Sequence, residues 1–328
     1  MNPNRTTSPH TIERRWAASR REFLASTAGL LGVLVQRGKA VELSNPEPII
    51  DIHQHLNYAG RPDKVLLAHQ QAMGITMTIL LPAGRPLNSA ATHDGSANGL
   101  QAGCAGNAAC CRFARAHHGS YRFGANEVPD LADAPREIER YLKRGAVVIA
   151  EQKFGVECDS PAMQRVYELA ADYRVPILMH WQYQMFNYGF ERFDRMLEKH
   201  PRTNFIGHAQ TWWANIDKSL SDQSVLYPRG KVTPGGRTDR YLADYPNMYG
   251  DLSAGSGLNA LTRDEEFTRD FLERHQDKLM YGSDCDDWMG TGLACQGAQT
   301  LATLRRLVAS KAMERKLLGE NAKRVFRL

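Results

Sequence analysis

A chain of 328 residues with 42% hydrophobic and 23% charged content is globular, long enough for a substantial core and too apolar to be intrinsically disordered. Its formal charge of +5 is held unevenly: residues 1–40 contain seven of the 41 Lys and Arg (Arg5, Arg14, Arg15, Arg20, Arg21, Arg37, Lys39) and two of the 36 acids (Glu13, Glu22), leaving 34 of each sign in the rest. A basic nucleic-acid surface on the body of the chain is therefore excluded, and the remaining length predicts one large domain.

In chain order, Ser19-Arg20-Arg21-Glu22-Phe23-Leu24 comes first, followed by an apolar stretch over 25–35 and then Gly38-Lys39-Ala40. Charged segment, paired arginines, modest apolar segment and small-x-small site together resemble a twin-arginine export signal, with cleavage after Ala40. The apolar stretch, interrupted by Gly29 and Gly32, falls far below the roughly 20 residues of a spanning helix, so no stable membrane anchor is expected. This resemblance implies engagement of the twin-arginine export machinery, a mature domain over 41–328 in the periplasm, and folding before transport.

Apolar strand-like runs then alternate with amphipathic helix-like ones. Strands are predicted over 49–53, 76–81, 122–128, 146–153, 176–180, 204–208, 248–252 and 278–283. Helices fall between them over 62–73, 107–117, 134–144, 160–173, 189–200, 264–275 and 298–308. Near-continuous apolar strands in this order predict a parallel (β/α)8 TIM barrel rather than an open sheet, with chemistry at the C-terminal ends of the strands. Two long interruptions, 82–101 after the second strand and 219–240 after the sixth, emerge at that same end, where lids and substrate walls are built. The six cysteines form no pair of Cys-x-x-Cys motifs, so a structural zinc site is not expected.

The strand ends carry the chemistry. The run Ile49-Ile50-Asp51-Ile52-His53-Gln54-His55 closes in two imidazoles one residue apart, which on a strand face the same side. The fifth strand ends in His180, the sixth in His208 and the eighth in Asp284. One such histidine is commonplace; His or Asp at the same level of four strands of one barrel points to a metal. Imidazoles with a carboxylate suit zinc, with manganese, iron or cobalt tolerated, and such a site can bring the pKa of a water from 15.7 to about 7. Asp284 is placed to accept a proton from that water, and His208 to stabilise charge on a substrate oxygen.

On the fourth strand Glu151 and Lys153 face one side. Glu151 is a candidate additional ligand, and Lys153 a partner for substrate charge or for Glu151 itself. If those two pair with each other one ion is expected, the favoured count, with two as the alternative. Asp251 reads equally as a substrate or supporting acceptor and as a loop cap. Trp181, Tyr183, Trp212 and Trp213 either wall a pocket or pack the core. Arg85, His93 and Asp94 are loop charges that could meet a substrate. Cys285 is adjacent to Asp284 and so points the other way, as a small buried filler.

These residues resemble the amidohydrolase superfamily: His-x-His after the first strand, histidines ending the fifth and sixth, Asp ending the eighth. The closer likeness is to its amidohydrolase-related branch, which includes aminocarboxymuconate semialdehyde decarboxylase and related decarboxylases, lactonases and hydrolases. Leu317-Leu318-Gly319-Glu320-Asn321-Ala322-Lys323-Arg324-Val325-Phe326 is similar to how many members end, so the likeness spans about residues 47 to 327. It implies that His53, His55, His180 and Asp284 bind a divalent metal, most simply zinc, with His208 as a second-metal ligand or catalytic acid/base. Binuclear members carry a bridging carboxylated Lys or a Glu on the fourth strand. The expected activity is metal-dependent hydrolysis of a small ester, lactone or amide. The alternative is decarboxylation of an unsaturated or aromatic acid. An exported binding protein without chemistry ranks last, since no ligand is missing. The expected partner is a small-molecule substrate, and a homo-oligomer is compatible with the sequence.

Overall fold

The computed structural model describes residues 47–85 and 103–328. The leader, most of the first long interruption, His93 and Asp94 lie outside the described residues. Residues 47–328 form one compact unit, in which no described helix is long and apolar enough to cross a membrane.

All eight predicted strands form: β1 (Ile50–Gln54), β2 (Met77–Leu80), β3 (Tyr121–Phe123), β4 (Ile149–Gln152), β5 (Ile177–His180), β6 (Phe205–His208), β7 (Met248–Asp251) and β8 (Leu279–Met280). Every paired neighbour is parallel, in the order β1-β2-β3 and β4-β5-β6-β7-β8. Two seams close the ring. Ala125 bridges to Ile149, donating to Val148 O at 2.8 Å, and on the other side Ile52 N donates to Tyr281 O at 3.2 Å. The result is the predicted barrel.

Alternation sorts the strand residues into two cores. Ile50, Ile52, Ile79, Leu81, Val148, Ala150, Leu178, Ile206 and Met280 fill the interior, together with Ala322, Val325 and Phe326 from the terminal helix. Outward residues such as Leu80, Ile149, Ile177, Met179, Phe205 and Leu279 pack against the helices. Ile52 points inward and Asp51 outward, where it meets Gln70 on α1 (Asp63–Ala72). Strict alternation would then send His53 outward as well. A register shift between Asp51 and Gln54 reverses the phase, and a second one between Ile149 and Gln152 does the same for Glu151.

The remaining helices are α2 (Asn107–Ala116), α3 (Ala134–Leu142), α4 (Pro161–Tyr173), α5 (Asp194–Lys199), α6 (Gln210–Ala214), α7 (Arg237–Asp244), α8 (Ala254–Thr262), α9 (Glu265–Arg274), α10 (Gln296–Leu307), α11 (Lys311–Arg315) and α12 (Asn321–Phe326). α4 starts as its sequence prescribes: Ser160 Oγ accepts from Met163 N at 3.3 Å and Pro161 occupies the first turn. The helix predicted over 189–200 is instead a 3-10 turn, Phe190–Arg192, followed by α5. The short helices α6, α7, α8, α11 and α12 were not predicted; their apolar faces are only a turn or two long, too short for a periodic signal.

Candidate active site

The barrel brings His53, His55, Glu151, His180, His208 and Asp284 to one mouth, five of them fully buried and the Asp284 side chain 11% exposed. Glu151 is central. Its Oε2 lies 3.6 Å from both His53 Nε2 and His55 Nε2, while its Oε1 lies 2.5 Å from His180 Nδ1 and 3.6 Å from His208 Nε2. Asp284 faces the same group, with Oδ1 at 3.6 Å from His53 Nε2 and 3.5 Å from His55 Nε2, and Oδ2 at 3.5 Å from His208 Nε2. The Glu151–Lys153 pairing that would have favoured one ion is not made. The Lys153 ammonium instead sits over the Phe186 ring, 5.6 Å from its centre.

Asp251 fills both roles read for it: its Oδ1 caps the loop amide of Ser253 at 3.0 Å, and its other oxygen is a supporting acceptor. Its Oδ2 accepts from His53 Nδ1–H at 2.7 Å and lies 3.1 Å from His208 Nδ1, so both Nε2 atoms turn to the centre. Ser253, which sequence reasoning missed, donates to the same oxygen at 2.8 Å and lies within 3.3 Å of both rings. Tyr58 was missed too: its ring packs edge-on to His55 at 4.9 Å. The charge of Asp284 holds its phenol far above the usual value, so it remains a donor.

Two backbone features fix Asp284. Its φ of 43° lies in the left-handed region, a strained choice for a non-glycine residue, held by its N–H donating to His53 O at 2.8 Å. Just before it, a Cβ on Gly282 would fall 2.6 Å from Asp251 Oδ1 and 3.0 Å from His53 Cβ, so only glycine lets β8 and β1 approach this closely.

The carboxylates set the charge of the cluster. Burial alone would drive the His53 imidazole down, but Asp284 and Asp251 hold it well above its usual value. His208 is raised by Asp251 against burial and the neighbouring His53. His55 is pushed up to about 10, its burial outweighed by Cys104 and Asp284. His180 moves down to about 4 through burial and the Lys153 charge. Burial opposes ionisation of all three acids; even so His180 and Lys153 keep Glu151, and His53 keeps Asp284, well below the carboxylate range, while Asp251 sits at about 2. Ionised carboxylates thus draw positive charge to one buried point.

Among the described residues, three overlapping groups have ligand atoms within 4.8 Å of one another: His53–His55–Glu151, Glu151–His180–His208 and His53–His208–Asp284. Two polar atoms in the cluster, His208 Nε2 and Asp284 Oδ1, are buried without a hydrogen-bond partner. Unpaired imidazole and carboxylate lone pairs in a negative field are the donor set of a divalent cation, and these residues fit one.

Other predicted residues fall outside the cluster. Arg85 is committed to Glu127 (2.5 Å) and Asp133 (2.7 Å). Trp181, Trp212 and Trp213 are buried core, whereas Tyr183 is exposed and lines a cleft with Gln182, Asn187, Thr211 and Arg237. Gln182 Oε1 lies 3.3 Å from His180 Nε2, which connects that cleft to the mouth. All six cysteines are free thiols.

Comparison with known proteins follows the same line. The chain matches the family described as amidohydrolase over residues 50–328. No curated protein matches it. Among solved structures, a 5-carboxyvanillate decarboxylase from Sphingomonas paucimobilis is 15% identical with a TM-score of 0.53, covering 86% of this chain and 99% of its own. A probable 2-pyrone-4,6-dicarboxylic acid hydrolase from Acinetobacter baumannii is 12% identical, TM-score 0.55, with 85% and 99% covered. A dihydroxybenzoic acid decarboxylase from Polaromonas, holding manganese and an inhibitor, is 15% identical, TM-score 0.54, with 86% and 97% covered. At these identities the likeness establishes the barrel, while the family match spans nearly all of the described chain: this protein belongs to the amidohydrolase family.

Proposed function

We propose that the protein is a metal-dependent hydrolase of a small ester, lactone or amide, holding two divalent cations, zinc foremost. The supporting observation is the central Glu151, one oxygen turned to His53 and His55 and the other to His180 and His208. With Asp284 this makes two sets of ligands sharing a carboxylate. Held by these residues, such cations would supply polarisation of a carbonyl and a hydroxide near neutral pH. Asp284, ionised and with one oxygen unpaired, takes the proton of the attacking water. Asp251 and Ser253 keep His53 and His208 oriented, and Tyr58 offers a phenolic donor beside His55. The cleft at Gln182, Tyr183 and Arg237 receives the rest of the substrate.

Decarboxylation is the second reading. It is favoured by the half-buried Lys153, whose ammonium meets no carboxylate within ion-pair distance among the described residues, and by the two decarboxylases of the same fold. A panel of lactones, esters, amides and aromatic acids assayed with metal-loaded protein tests both. Hydrolysis abolished by Asp284→Asn is the expected outcome; carbon dioxide release without any hydrolysis would overturn the first reading in favour of the second.

A further inference from the structure

A second convergence of metal-ligating side chains lies behind the first, on the helix side of β8. His69 comes from α1, Cys285 and Asp287 from the segment after Asp284, and Cys295 from the N-cap of α10. Their ligand atoms all lie within 4.8 Å of one another, and only Asp287 is partly exposed. Cys285 directly follows Asp284, and its buried Sγ meets His69 and Cys295 instead of the mouth.

The separations match a closed zinc site. With Zn–S near 2.3 Å and Zn–N near 2.0–2.1 Å, tetrahedral geometry places two sulfurs roughly 3.7–3.8 Å apart and a sulfur and a nitrogen roughly 3.5 Å apart. Cys285 Sγ and Cys295 Sγ are 3.7 Å apart, and they lie 3.4 and 3.6 Å from His69 Nε2. Asp287 Oδ1 stands 2.9 Å from the same nitrogen, a direct hydrogen bond that would open by a few tenths of an ångström. Its other oxygen is engaged by the N–H groups of Met289 (3.0 Å) and Gly290 (2.9 Å), which aim Oδ1 inward. Gly290, at φ 69°, lies so close to α1 that a Cβ would meet His69 O at 2.4 Å, so this segment is pressed onto the helix.

Charge supplies an independent argument. The Arg61 side chain is buried, and it donates to Asp287 O at 2.8 Å and to Gln54 Oε1 at 2.6 Å without reaching a carboxylate among the described residues. Two thiolates, a carboxylate and a divalent cation sum to a single negative charge, which would balance that guanidinium.

We propose that His69, Cys285, Asp287 and Cys295 form a structural zinc site that clamps the segment after Asp284 to α1. It is separate from the mouth and does not depend on the reaction catalysed there. Four protein ligands leave no open position, so its role is to fix the backbone that carries Asp284.

The test uses the full chain loaded with zinc or cobalt alone. After dialysis against a competing chelator, a His53→Ala/His55→Ala variant is expected to retain one tightly held equivalent. Its cobalt form is expected to show thiolate-to-cobalt charge-transfer absorption. Adding Cys285→Ser and Cys295→Ser removes both signals. Should the serine variants fold poorly, Asp287→Asn, on the exposed segment, is expected to weaken retention while keeping the sulfur band. Metal content unchanged by the serine substitutions, absence of the band, or recovery of Cys285 and Cys295 as a disulfide despite added zinc would each overturn the proposal.

Discussion

Asp251 shows how much a single oxygen can organise. His53 and Ser253 donate to its Oδ2, and His208 Nδ1 stands 3.1 Å from the same oxygen with Ser253 Oγ as its hydrogen-bond partner. Asp251→Asn keeps the shape but presents an amide that accepts more weakly, so metal affinity is expected to fall roughly 10- to 100-fold, measured by competition with a chelator. Glu151→Gln is expected to lower the metal held at the mouth, counted apart from the His69–Cys285–Asp287–Cys295 site, from near two equivalents toward one, since the shared carboxylate faces both imidazole pairs. Two equivalents retained at the mouth of that variant would remove Glu151 from the ligand set. The six mouth residues were legible in the sequence because each closes an apolar strand, and strand ends share one level in a barrel. Asp251 was legible only as a choice between two roles, and Ser253 and Tyr58 not at all, since a hydroxyl in a loop carries no pattern. The His69–Cys285–Asp287–Cys295 group was hidden for another reason. Its members span 226 residues between His69 and Cys295, so no local spacing announces them.

At the level of elements, eight strands could be read from apolar runs, but not the register shifts in β1 and β4. A shift is a property of the pair of strands, and without it strict alternation assigns His53 and Glu151 to the wrong face. The Leu178 side chain lies in the barrel interior directly below His180, fully buried, and Leu178→Ala is expected to cost about 2–5 kcal/mol in denaturant unfolding. Between helices, Asp239 on α7 bonds to Arg274 at 3.0 Å, the last residue of α9, and to His275 just beyond it at 2.6 Å. Burial pushes the Asp239 carboxyl up, yet these partners hold it below its ordinary value of 3.8. A depressed carboxyl stabilises the fold above the ordinary value and loses that contribution as pH falls through the depressed one. Asp239→Asn should therefore cost roughly 1–3 kcal/mol at neutral pH, with the gap to the parent protein closing below about pH 4, as followed by thermal unfolding across pH.

For the molecule as a whole, metal binding and folding are linked. Removing cations from the mouth leaves ionised carboxylates buried together, so chelation is expected to lower the melting temperature and re-addition of zinc to restore it. We further propose that the leader exports the folded protein to the periplasm. Replacing Arg20 and Arg21 with Lys is expected to retain it in the cytoplasm, as fractionation would show; unchanged export would refute this. The barrel floor bears on the same point. Ala322, Val325 and Phe326 of α12 pack beneath Ile50 and Ile52 of β1, joining segments about as far apart in sequence as the domain allows. Contacts of such high sequence separation form late, because the intervening loop must close first. During synthesis, the strand bearing His53 and His55 has no floor until residue 326 has left the ribosome. A mouth that rests on this floor is therefore expected to take up metal only after residue 326 has emerged, which metal content of chains stalled before and after that point would check.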